Sequence, residues 1–194
     1  MENKIVEFER FENLEISDEM FVSCKFVDCE FENCTFENLK LKGCVFTECK
    51  FLKCRISGIK GDRTQIRLTE FADCLIMGVN WSELMTETQI AIPFDKFTNC
   101  TLKYNIFYSL ALRNFSFETN SVTGSTFGDC NITGGSFYSC KMDDTEFVRC
   151  NLSKADFRNA MGYKIDIETN KIKGAKFSFP EVINLLESLE IEIE

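Results

Sequence analysis

The sequence predicts an all-β fold, a solenoid wound from five-residue units, on three observations. Large apolar side chains recur every fifth residue, cysteines stand two residues ahead of them, and the other three positions of each unit are mostly polar. One series runs Phe11, Ile16, Phe21, Phe26, Phe31, Phe36, Leu41, Phe46, Phe51, Ile56, Ile66, Phe71, Ile76 and Trp81, interrupted at Gly61. A second runs Ile92, Phe97, Leu102, Phe107, Leu112, Phe117, Val122, Phe127, Ile132, Phe137, Met142, Phe147, Leu152, Phe157, Ile167, Ile172 and Phe177, interrupted at Gly162. Sixteen of the 20 Phe stand in these series, which is why the period is taken as structural. A helix repeats every 3.6 residues and a strand every two, so neither sustains a fivefold spacing. The repeat belongs to a larger unit.

All 11 cysteines fall in the second column, and Leu39, Ile59, Val79, Leu110, Ala155, Ala160 and Ala175 fill other slots of it. Each pentad therefore turns two residues inward, one large and one small. Cys29-Glu30-Phe31-Glu32-Asn33, Cys150-Asn151-Leu152-Ser153-Lys154 and Ala155-Asp156-Phe157-Arg158-Asn159 resemble the A-(D/N)-L-x-x unit of pentapeptide-repeat proteins, over about residues 9 to 179. That resemblance implies a right-handed quadrilateral parallel β-helix with four pentads per coil. Sorted by twenties, Phe11, Phe31, Phe51 and Phe71 form one ladder and Phe97, Phe117, Phe137, Phe157 and Phe177 another. Ile92, Leu112, Ile132, Leu152 and Ile172 make an aliphatic face. About eight coils at a β-type rise give a rod roughly 40 Å long.

Ten residues separate Trp81 from Ile92 where an unbroken register allows four or nine, so the register shifts by one. Residues Ser82 to Gln89 are expected to bulge from a corner or edge, which makes Glu83, Leu84, Met85 and Glu87 candidates for binding a partner. Beyond a rod of residues 1–177, Ser178-Phe179-Pro180-Glu181 reads as a capping-box helix start, with Val182, Leu185, Leu186 and Leu189 on one face. Solenoid ends need such caps. Ile191-Glu192-Ile193-Glu194 alternates like a short edge strand. Residues 178–194 thus form a capping helix and a dimerisation tail, with Val182, Leu185, Leu186, Leu189, Ile191 and Ile193 joining two copies in a C2 homodimer.

The chain has no His, which excludes imidazole bases and His metal ligands. The Cys24, Cys29 and Cys34 run belongs to different faces of a filled coil and reads as buried, inert thiol; no metal or other cofactor is expected. Thr123-Gly124-Ser125 and Thr133-Gly134-Gly135 read as corners, and the paired carboxylates Asp143, Asp144 and Glu146 as a solvated face. No nucleophile meets a base, so no enzyme is predicted. MENKIVEFER shows no apolar run of signal-peptide length, so a cytoplasmic, reduced protein without a membrane span is expected.

The net charge of −9 disfavours direct nucleic-acid binding. Residues 1–37 hold 11 acidic and 3 basic side chains, residues 181–194 hold five acids and no base, and the middle is net positive. The end of the chain, Ala155 to Ile167 and Leu185 to Ile191, resembles the Qnr-type and microcin-immunity branch of the family. That resemblance implies a duplex mimic that binds DNA gyrase or topoisomerase IV and protects it from fluoroquinolones or a peptide toxin. In a dimer joined at the C-terminal ends, Glu187, Glu190, Glu192 and Glu194 of both copies form an acidic saddle at the two-fold. The positive middle departs from a long acidic face, and the alternative is a protein-interaction scaffold without a topoisomerase role.

Overall fold

The computed structural model describes residues 1–85 and 92–189. Each pentad contributes one side of a four-sided coil, and about eight coils stack with every strand pairing parallel. Within a pentad the apolar centre points inward from a short strand such as Met20–Val22 or Lys25–Val27. Three residues further on in the cycle the next inward pair begins. Between them the chain turns on a residue in the left-handed region, at Asn13 (φ 57°), Asp18 (φ 57°), Asn33 (φ 53°) and so on every fifth position. Asn and Asp tolerate this conformation because their short polar side chains bond locally. Phe8, Leu68, Tyr104 and Thr119 adopt it without that relief.

Four ladders run along the inside. The Phe ladder is continuous: Phe11, Phe31, Phe51, Phe71, Phe97, Phe117, Phe137, Phe157 and Phe177 stack with neighbouring centroids 4.8 to 6.0 Å apart. The two ladders expected on either side of the break are therefore one. The coil between Phe71 and Phe97 has 26 residues in place of 20, and the odd residue is absorbed as a bulge: Thr69 pairs with Phe94 and Glu70 with Lys96, leaving Asp95 over. This bulge turns Phe94 inward, where it meets Trp81 edge-on at 5.1 Å.

Both gaps in the sequence series have steric causes. A Cβ at Gly61 would lie 2.2 Å from the Glu83 carbonyl oxygen and 2.9 Å from Leu84 Cδ2, so the segment after Trp81 occupies the space. At Gly162 a Cβ would lie 2.8 Å from Asp143 Cα. There the chain takes a short cut: Lys141 pairs with Met161, but Thr145 pairs with Tyr163 and Phe147 with Ile165. Tyr163 and Ile165 fill the inward slots, and Ile167, expected in the ladder, is only half-buried. The spacing of 20 resumes by Asn151, which pairs with Lys171.

Where the small-residue column carries a polar side chain, that side chain mostly bonds to the coil before. Cys44 Sγ donates to Phe21 O at 3.3 Å, Cys54 to Phe31 O at 3.2 Å, Cys130 to Phe107 O at 3.3 Å and Cys150 to Phe127 O at 3.2 Å. Thr64 Oγ1 donates to Leu41 O at 2.9 Å, and Asn120 Nδ2 to Phe97 O at 3.1 Å. Thiol, hydroxyl and amide alternate in this column because each supplies a buried donor to a carbonyl of the coil before.

The C-terminal segment Glu181–Leu189 is a 3-10 helix, not the expected α-helix, and its capping box does not form. Ser178 Oγ instead accepts from Asn159 N at 3.2 Å, and a Glu181 carboxylate oxygen accepts from Asn184 Nδ2 at 3.0 Å. The rod takes the Ser178 side chain through Asn159, while the Glu181 carboxylate is shared between Asn184 of its own segment and Gly162 N of the rod at 3.5 Å.

Candidate functional site

Every face of the rod presents the residues that flank a ladder position, so the candidate sites are surfaces. The first two coils are acidic. Glu2, Glu7, Glu9, Glu12, Glu15, Asp18 and Glu19 are all exposed around the first coil. On one face Arg10 Nε sits 2.9 Å from Glu12 and 3.3 Å from Glu30, Arg10 also pairs with Glu32, and Lys53 Nζ lies 3.3 Å from Glu32. The Glu32 carboxyl is held below its usual range by its bonds to Arg10 and Lys53, and the Arg10 guanidinium is raised in turn. Such solvent-exposed pairs add little stability, but they fix the side chains of a face.

Farther along, Arg149 binds Asp129 through two bonds of 2.7 Å. Arg149, and after it Tyr108, hold the Asp129 carboxyl down to about 2. The Tyr108 ring lies flat over Gly128 and the Tyr104 ring over Gly124, where an added Cβ would come within 2.8 and 2.6 Å of them. Together with Ile106 they form an exposed apolar strip. Arg158 lies 5.8 Å from the centre of the Tyr138 ring and bonds Asp156 at 2.6 Å.

The insertion differs from its sequence reading. Trp81–Leu84 forms a 3-10 turn capped by Asn80, whose side chain accepts from Ser82 N at 3.1 Å. Ser82 Oγ donates to Tyr108 O at 2.8 Å, which ties the turn to the next coil. Leu84, expected on a bulge, is 1% exposed and fills the space over Gly61. Glu83 stays outside and Met85 is half-buried; Glu87 lies outside the described residues. Of the residues proposed to join two copies, Leu185 is buried against the rod, Val182 and Leu186 are half-buried and Leu189 is exposed. Glu187 lies on the 3-10 helix, while Glu190, Ile191, Glu192, Ile193 and Glu194 lie outside the described residues.

All 11 thiols are free and buried. Burial pushes Cys49 up to about 11 and Cys140 up to about 12, away from nucleophilic thiolate. Among the described residues no group of Cys, Asp and Glu is arranged to hold a metal ion, and no helix is long and apolar enough to cross a membrane. The sequence pattern did not reveal the Tyr104–Tyr108 strip, since strand positions on either side of a ladder carry no periodic signal.

The pentapeptide-repeat family model matches in eight copies, over residues 24–60 and 123–160. Strands of the same parallel coil run before, between and after those copies, and the chain has the pentapeptide-repeat fold. It is a repeat-protein scaffold. Among solved structures, a trypsin-treated variant of QnrB1, a plasmid-mediated fluoroquinolone resistance protein, overlaps with a TM-score of 0.49 at 17% identity, covering 98% of this chain and 99% of that one. Full-length QnrB1 gives 0.47 at 17%, covering 94% and 100%. HetL, a pentapeptide-repeat protein involved in heterocyst differentiation regulation in the cyanobacterium Nostoc sp. strain PCC 7120, gives 0.39 at 9%, covering 87% and 85%. No curated protein sequence matches the chain.

Proposed function

We propose that the protein is a non-catalytic rod that binds DNA gyrase or topoisomerase IV at a surface built for duplex DNA, and so protects the enzyme from a fluoroquinolone or a peptide toxin. The observation that carries this reading is the charge density of the first two coils. Residues 1–37 carry 11 acids and 3 bases, net −8, and the acids sit on outward positions. Two coils rise about 10 Å, or roughly one net charge per 1.2 Å, against about one per 1.7 Å for duplex DNA. The mimicry is therefore local to this end, and the net positive middle is left out of it. A C2 dimer through Val182, Leu186 and Leu189 of the C-terminal segment belongs to the proposal, and a monomeric mass by light scattering removes that part of it.

The test is a gyrase supercoiling assay over a range of protein concentrations, with and without a fluoroquinolone. Rescue from the drug, or inhibition without it, is expected. Replacing Glu7, Glu12, Glu15 and Glu30 by Gln should abolish the effect while circular dichroism stays unchanged. No effect of the unmodified protein in large excess over gyrase overturns the proposal.

A further inference from the structure

A cavity of about 290 Å3 runs along the axis of the N-terminal coils, between Met1 and Lys4 at the exposed end and Trp81 and Leu84 at the inner end. Its cause lies in the ladders. Phe31 and Phe51 face the side that carries Leu41, and no ring meets them from across the coil, while at the inner end Leu84 fills the space at Gly61 and Trp81 meets Phe71 edge-on at 5.5 Å. The axis past these rings is long and narrow: from Phe11 to Phe71 successive centroids are 5.1, 4.8 and 5.1 Å apart. Apart from Lys4, every lining side chain is apolar. A cavity of this kind stays dry and gains from filling by an apolar chain of its own width.

The rim selects the other end of the ligand. Seven carboxylates, from Glu2 to Glu19, surround the first coil against three cations, Lys4, Arg10 and the Met1 ammonium; Arg10 is engaged by Glu12, Glu30 and Glu32, and the ammonium by Met20 O at 2.8 Å. We propose that this cavity binds one unbranched alkyl chain bearing a cationic head group, with the chain on the axis and the cation among the rim carboxylates. A chain of about ten to twelve carbons spans the stacked rings. The head group gains from the field of the rim, where an anion of the same length is repelled.

Trp81, the one Trp in the chain, lines the inner end and reports on occupancy. Dodecyltrimethylammonium brominated at its chain terminus, titrated below its micelle concentration, should quench Trp81 emission saturably at one equivalent. Tetramethylammonium, with the head and no chain, should not change the emission. Brominated dodecanoate should bind at least roughly tenfold more weakly, because the rim repels it. Leu41→Phe, which places a ring opposite Phe51, should weaken the alkylammonium roughly tenfold by removing the space. Since that variant changes the core, a second one with Glu2, Glu7 and Glu15 replaced by Gln leaves the lining intact and should narrow the preference for the cation over dodecanoate. Absence of saturable quenching overturns the cavity as a site, and equal binding of dodecanoate overturns the cationic head group.

Discussion

After Phe97, rings from opposite sides of the coil meet edge-on across the axis: Phe117 and Phe127 at 5.5 Å and 82°, Phe127 and Phe137 at 5.5 Å and 82°, Phe147 and Phe157 at 5.4 Å and 88°. Before Trp81 the same Phe ladder continues, but Leu41 stands in the column that Phe127 and Phe147 hold later, Leu84 takes up the space at Gly61, and the axis past Phe31 and Phe51 stays open. Phe107, Phe117, Phe127 and Phe137 are fully buried, whereas Phe21, Phe26, Phe31 and Phe51 keep 3 to 7% of their surface. The backbone differs as well. The earlier coils carry a strand on every side, while later coils turn on isolated bridges such as Ala111 with Asn131 and Ser116 with Ser136. Period alone thus sets which residues point inward, and the identity of the residue opposite decides whether the interior is solid.

The largest test of this contrast is truncation of a ring. Phe127→Ala should cost about 3 to 5 kcal/mol in urea unfolding, while Phe51→Ala should fall at the lower end of that range because the ring already borders open space. Equal losses would break the comparison. A sharper version exchanges signs: Leu41→Phe should stabilise by about 1 kcal/mol, and Leu112→Phe, in the closed half, should destabilise by about 1 to 3 kcal/mol.

A third expectation concerns pH. Cys49 and Cys140 have thiols raised by burial from an ordinary value of 9.0 to about 11 and about 12. The native state therefore holds its protons longer than the unfolded chain, so this stability is full below pH 9 and is lost as pH rises toward 11 and 12. Each thiol contributes a decline of about 1.4 kcal/mol per pH unit in that window. Unfolding measured from pH 8 to 11 should show the decline, and Cys49→Thr or Cys140→Thr, which keeps a donor, should each remove its share. A flat profile would mean that the two halves do not seal their thiols. The smallest effect is expected at a corner: Leu68, exposed and at φ 48°, should gain about 0.5 to 1 kcal/mol as Leu68→Asn, read as a shift in midpoint at unchanged slope.

Much of the fold was legible because a solenoid writes its geometry into the chain as a period. The inward centres and the cysteine column follow from residue types at fixed spacing, and the 20-residue ladders from the four-pentad coil that the family resemblance implies. The exceptions were not legible. Gly61 reads as a gap until Leu84 is seen above it, and Ile167 reads as a ladder residue until Gly162 lets the chain cut a corner and seat Ile165 instead. Phe94 and Phe115 stand outside the fivefold series, yet both pack into the core, Phe94 through the bulge at Asp95 and Phe115 in the small-residue column. At the candidate surfaces even less could be read. Acid content near the start of the chain was visible, but Arg10 drawing Glu12, Glu30 and Glu32 together needs coils that bring residues 20 apart side by side.

By itself the sequence determined a rod of five-residue units, the residues that fill it and the charge along it, because burial of every fifth side chain is a local and repeated demand; four units per coil followed from the family resemblance. Only the tertiary structure decided that one Phe ladder runs through the insertion, that Leu84 turns inward, that the C-terminal segment is a 3-10 helix and that half the axis is open. Each of these depends on what stands one coil above or across the interior, and that neighbour is separated along the chain by a distance over which local preference carries no information.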